Sequence, residues 1–310
     1  MDTLAVILEA PSRLCVDRLE LDAPTTTDLV VDMAWSGIST GTERLLYSGS
    51  MPAFPGMGYP LVPGYESVGT VVEAGSATSN SVGDYVFVPG ARCYGAVRGL
   101  FGGAAKRVVV PEARAVPIDR GLARDGVLLA LAATAQHAIS DGHQLPDLIV
   151  GHGILGRLLA RLAVLNGAAP TVWDHNPDRA SGADGYVVVH PDEDERRDYR
   201  AIFDVSGDSS LLDPLIARLA PGGEIVLAGF YAAPLSFAFP PAFMREARIR
   251  VAAQWREQDL IAARDLVESG RLSLAGLVTH ESAAADAPAA YRTAFGDPSC
   301  LKMVLDWSRA

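Results

Sequence analysis

The sequence predicts an α/β protein of two units, a β-rich barrel-like unit followed by a doubly wound parallel sheet. Three observations carry this. The first 115 or so residues are short apolar runs broken by Gly and Pro. From about Gly121 the chain turns to Ala- and Leu-rich helix, and beyond it strand-like and helix-like stretches alternate as in βαβ units. A length of 310 residues is also enough for two well-buried cores.

In the first unit the strand-like runs are Leu4–Ala10, Asp28–Gly37, Val68–Gly75, Gly83–Gly90 and Lys106–Pro111. Gly126–Ile139 (GVLLALAATAQHAI) reads as helix, and the apolar run Asp147–Val150 leads through a glycine-rich turn into a second helix, RLLARLAVL. Further strands are expected at Pro170–Asp174, Tyr186–Val189, Ala201–Val205 and Glu224–Ala228, a spacing that winds a doubly wound sheet. An amphipathic helix follows at DLIAARDLVESG, and the closing segment APAAYRTAFGDPSCLKMVLDW could return to the first unit. The boundaries expected are 1–118, 119–255 and 256–310.

Composition narrows the function classes. Hydrophobic residues make up 49% and charged residues 20%, as in ordinary globular proteins, and the net charge is −11 with no basic run. Nucleic acid is thus not an expected partner, because binding it needs a basic face. The acidic stretch 192–195 reads as solvated surface. Cys15, Cys93 and Cys300 are far apart and form no C-x-x-C pair, which suits a reducing cytosol and suggests neither a disulfide framework nor a zinc ribbon. With no signal-like amino terminus and no long uncharged apolar run, a cytoplasmic protein without a membrane span is expected.

The strongest motif is Gly151-His152-Gly153-Ile154-Leu155-Gly156, between an apolar strand and a helix. Glycines there let the backbone approach a pyrophosphate, whose charge is met by the helix amino terminus. Asp174 closes the next strand, 18 positions after Gly156, and its carboxylate suits ribose hydroxyls while repelling a 2′-phosphate. NAD is therefore expected rather than NADP. Arg179, five residues on, is a further candidate at this site, and His152 either lies near the pyrophosphate or caps the turn.

Ile38-Ser39-Thr40-Gly41-Thr42-Glu43, Pro63-Gly64-Tyr65-Glu66-Ser67-Val68-Gly69 and Val82-Gly83-Asp84-Tyr85-Val86 resemble the signatures of the medium-chain dehydrogenase/reductase family. The resemblance spans essentially the whole chain. It implies a GroES-like β-barrel catalytic domain that holds substrate, a Rossmann domain that holds the cofactor, and a tail that rejoins the barrel. Thr40, Tyr65 and Ala130 stand where that family carries its catalytic zinc ligands, and the four-cysteine structural lobe is absent, so no metal is expected. The segments SGISTGTERLLYSG, PGMGYPLVPGYESVG, GLFGGAAKR and DPSCLKMVLDW resemble one branch in particular. That likeness implies NAD-dependent oxidation of the 3-(1-hydroxyethyl) group of a bacteriochlorophyllide to 3-acetyl, in bacteriochlorophyll biosynthesis.

Such a reaction needs a group to take the hydroxyl proton. Tyr65 is the candidate hydrogen-bond donor or relay, with Thr40 and Thr42 extending the relay and Glu66 or Glu43 as acceptor; Tyr65 as a filler of the vacated metal site and Glu66 as a buried structural acid are the plainer readings. His137 reads as a packed core histidine. The tetrapyrrole is a flat apolar macrocycle with a carboxylate, for which Phe54, Met57, Tyr59, Phe101, Phe230, Tyr231 and Phe243 are candidate walls, and Arg98, Arg44 or Arg92 a candidate anchor. The same architecture also serves zinc-free enoyl or quinone reductases and non-catalytic NAD(P)-binding regulators. A homo-oligomer is expected.

Overall fold

Asp28–Ile38 is the axis of the first unit. Its alternating apolar residues put Leu29 and Val31 into the core, and it pairs antiparallel with Ser67–Ala74, Arg107–Pro111 and the late strand Met303–Asp306. In the computed structural model, which describes residues 1–140 and 144–310, this strand belongs to a seven-stranded sheet that also takes in Tyr85–Val88, Val116–Pro117 and His280–Ala283. A four-stranded sheet joins Arg13–Glu20, Asp2–Ala10, Leu61–Val62 and Arg98–Gly99.

The strand Arg13–Glu20 was not anticipated. Arg13, Asp17, Arg18 and Glu20 mask its alternation, yet it pairs with the first strand almost residue for residue, from Asp2 opposite Glu20 to Ala10 opposite Arg13. It lies at the sheet edge, where charged side chains keep other chains from adding on.

The closing segment does return. Met303–Asp306 pairs with Trp35–Ile38, and Trp307 is fully buried, its indole N–H donating to Ser36 Oγ at 2.9 Å. Burying a side chain of this size stabilises the unit by roughly 2–3 kcal/mol.

The second unit is a six-stranded parallel sheet in the order Val187–Val189, Thr171–Trp173, Leu148–Val150, Tyr199–Asp204, Leu219–Leu227, Arg248–Val251. Winding runs outward both ways from Leu148–Val150, so the order reverses beside that strand, where doubly wound sheets bind ligands. The helix Ile154–Leu165 buries Leu158, Leu159, Leu162 and Ala163, one face at helical spacing.

The compact units are Met1–Ala130 with Leu274–Ala310, and Leu131–Ser273. The helix Glu257–Glu268, expected to open the returning tail, groups with the parallel sheet instead. Asp259 near its start accepts from Arg256 N at 2.8 Å and pairs with buried His137 Nδ1 at 2.9 Å, which ties it to the helix Leu129–Ser140. The return starts at Leu274. Among the described residues no helix is long and apolar enough to cross a membrane.

Candidate active site

In the parallel-sheet unit, Gly151 has φ +104, a conformation that L side chains rarely adopt. A Cβ on Gly156 would sit 1.8 Å from Gly151 O, whereas one on Gly153 would meet nothing within 4 Å. The loop is thus closed on its helix side and open at Gly153. No side chain caps the start of the helix Ile154–Leu165, which leaves its first amides for an anion. Ile154 packs inward and Leu155 is partly buried. These residues fit a dinucleotide pyrophosphate.

The Asp174 carboxylate accepts from His152 N at 2.8 Å and from Asn176 N at 2.8 Å, which fixes it at the end of Thr171–Trp173 and against the glycine loop. The His152 ring is fully buried, with Nδ1 2.5 Å from Arg179 O and Nε2 2.8 Å from Tyr186 Oη. A carbonyl can only accept, so Nδ1 carries the hydrogen and Nε2 accepts from the tyrosine. Burial pushes this imidazole down to about 4, which keeps it neutral. Of the two roles the sequence left open, His152 therefore fits the structural one, a clip between the loop and the chain around Arg179. Arg179 contributes its carbonyl to that clip, accepting also from Arg157 Nη2 at 2.9 Å, while its Nε is buried with no partner among the described residues.

In the other unit, Tyr65 follows Gly64, whose φ is +97 and whose Cβ would lie 2.8 Å from Ala104 N. The Tyr65 ring stands edge-on to Phe101, centroids 5.6 Å apart. Its hydroxyl lies 2.7 Å from Ser39 Oγ, and Thr42, the first residue of the helix Thr42–Ser48, is near enough to favour the ionised phenol. Burial drives the phenol far above its ordinary range, Glu66 and Glu43 adding to the shift and Ser39 and Thr42 opposing it. The phenol stays protonated, which suits a donor or relay and not a base. Thr40 lies in the same loop, but the phenol's hydrogen-bond partner is its neighbour Ser39.

Two acids lie in the same core. Glu66 is fully buried, and its Oε2 takes Lys302 Nζ at 2.6 Å while Oε1 has no partner among the described residues. Of its two expected roles the geometry matches the buried structural acid, with lysine as the partner. Glu43, 1% exposed, accepts Ser39 N at 3.1 Å on Oε1 and the Tyr291 hydroxyl at 2.6 Å on Oε2.

The donor set does not fit zinc. Thr40, Tyr65 and Ala130, which match the family's ligand positions by sequence, offer two hydroxyls and a methyl where zinc takes nitrogen, sulfur or carboxylate ligands. The candidate macrocycle contacts are dispersed. Phe101 touches Tyr65; Met57 and Tyr59 pack on the cluster of Leu46, Met51, Leu61 and Leu100, with Tyr59 donating to Leu46 O at 2.6 Å; exposed Arg98 reaches Tyr59 O at 3.4 Å; Phe54 is exposed. Phe230 and Phe243 are exposed in the parallel-sheet unit, where Tyr231 donates to Asp204 O at 3.2 Å. Ser39, Tyr291 and Lys302 were not singled out from sequence, although Ser39 stands inside the S-T-G-T-E motif.

Residues 25–120 match the alcohol dehydrogenase GroES-like domain family. The chain is 57% identical to a Cereibacter sphaeroides protein named 2-desacetyl-2-hydroxyethyl bacteriochlorophyllide A dehydrogenase, over 99% of each chain. It is 56% identical to the protein of the same name from Rhodobacter capsulatus, over 100% of each. An Escherichia coli alcohol dehydrogenase complexed with NADH shares the fold, with a TM-score of 0.83 at 22% identity over 98% of this chain and 99% of the other.

Proposed function

The chain belongs to the medium-chain dehydrogenase/reductase family, and from that premise we propose that it oxidises the 3-(1-hydroxyethyl) group of a bacteriochlorophyllide or chlorophyllide to 3-acetyl, with NAD and without zinc, in bacteriochlorophyll biosynthesis. The observation that carries this reading is the end-to-end likeness to two bacteriochlorophyllide dehydrogenases.

A secondary alcohol becomes a ketone by losing a hydride from carbon and a proton from oxygen. A nicotinamide cofactor bound at the glycine loop would supply the hydride acceptor. Gly151, Gly153 and Gly156 admit its pyrophosphate, and Asp174 favours ribose hydroxyls over a 2′-phosphate, which supports NAD. With its own hydrogen directed to Ser39 Oγ at 2.7 Å, the Tyr65 oxygen accepts the hydrogen bond of the carbinol hydroxyl and relays its proton, so that negative charge is drawn off that oxygen, the task a metal otherwise performs. Ser39 holds the phenol in that orientation. Phe101, edge-on to Tyr65, is an apolar wall for the macrocycle.

The test mixes purified protein, NAD and a 3-(1-hydroxyethyl) chlorin. NADH should form in step with a shift of the pigment band to that of the 3-acetyl product. A protein that binds NAD yet leaves the pigment unchanged overturns the proposal.

A further inference from the structure

Oxidising an alcohol frees a proton, and a phenol held protonated by burial cannot keep it. Ser39 touches two groups at once. Its hydroxyl is on Tyr65 at 2.7 Å and its backbone N–H on Glu43 Oε1 at 3.1 Å, so one residue bridges the phenol and the carboxylate. We propose that Glu43 receives the substrate's proton through Tyr65 and Ser39 and that Tyr291 holds Glu43 in position, an assignment that rests on the Tyr65 reading above. Both are positioning residues, since neither touches substrate.

The step balances. The carbinol proton passes to the Tyr65 oxygen as the Tyr65 proton passes to Ser39 Oγ and the Ser39 proton to Glu43. Each hydroxyl ends as it began and Glu43 ends as the acid. The hydride leaves to the nicotinamide cofactor that the reaction already uses.

Charge in this core separates the two acids. Lys302 is committed to Glu66 Oε2 at 2.6 Å and to Ile38 O at 3.2 Å. Glu43 has hydrogen-bond donors instead of a cation. The groups facing it are Tyr65 and Glu66 from the turn before Ser67–Ala74, Tyr291 from the helix Ala287–Gly296, Lys302 ahead of Met303–Asp306, and Ser39 ahead of its own helix. Burial pushes the Glu43 carboxyl up to about 7, with the Glu66 charge adding and Tyr291, Ser39 N–H and Lys302 opposing. A proton moves on and off such a group near neutral pH, as a relay terminus requires.

The test is the pH dependence of kcat/KM for pigment oxidation in wild type, Tyr65→Phe, Glu43→Gln and Tyr291→Phe. Only ionised Glu43 accepts a proton, so the wild-type rate should climb about tenfold per pH unit below about 7 and level off above it. Glu43→Gln should lose this limb and about a hundredfold in rate. Tyr291→Phe removes a donor that favours the carboxylate and should move the limb to higher pH. If Glu43→Gln does not fold, the carboxylic acid C=O infrared band reads the same ionisation without turnover, titrating near neutrality in wild type and at higher pH in Tyr291→Phe. A limb unchanged in both variants while Tyr65→Phe is slow overturns this proposal and spares the Tyr65 reading. Tyr65→Phe as fast as wild type overturns both.

Discussion

Replacing Lys302 by Met keeps the length of the side chain and removes the cation that Glu66 holds. The two side chains are 1% and 0% exposed and meet at 2.6 Å, and Glu66 Oε1 already has no partner among the described residues. Lys302→Met would therefore leave a buried carboxylate that has lost its cation, with no other partner among the described residues to take the ammonium's place. Breaking one side of a pair buried this deeply costs about 3–5 kcal/mol, a large part of the 5–15 kcal/mol or so that holds a domain together. At about 2–4 °C per kcal/mol for a unit of this size, melting of the barrel unit should fall by about 6–20 °C. The double variant Glu66→Leu/Lys302→Met removes both charges and should recover most of the loss. Calorimetry on the three proteins reads this directly. A single variant that melts within about 2 °C of wild type would refute the reasoning, since it would mean that water or another cation already screens Glu66.

Tyr65→Phe should lower kcat and kcat/KM together by about a hundredfold while NAD affinity, followed by fluorescence titration, stays put; turnover within about twofold of wild type from about pH 6 to 9 would reduce the ring to a filler. Asp174→Ala should shift the ratio of NAD to NADP kcat/KM toward NADP by more than about tenfold, and a wild type already faster with NADP contradicts the assignment. Prolonged dialysis against a chelator should leave activity intact, and one zinc per chain by elemental analysis would refute the donor-set argument. Glu43 binds its proton more tightly folded, at about 7, than at the ordinary value of 4.5. Its stabilising contribution is then complete below about pH 4.5 and lost as the pH rises through about 7, so Glu43→Gln should flatten the change in urea midpoint across that window.

Sequence alone determined the features that rest on local steric or chemical demands. The parallel strands appear where the apolar runs stood, from Leu148–Val150 to Leu219–Leu227, because period and turn residues act over a few positions. Gly151 and Gly156 were legible because φ and close backbone approach there exclude other residues. Tertiary structure alone decided the rest. Lys302 finds Glu66 across 236 positions and Tyr291 finds Glu43 across 248, pairings set by which strands and helices come together and left unmarked by any local pattern. The strand Arg13–Glu20 was hidden by its charges and exists because the first strand offered it an edge. The raised proton affinities of Tyr65 and Glu43 also follow from assembly: a carboxyl or phenol has its ordinary affinity for a proton until packing removes water and chooses which neighbours take water's place.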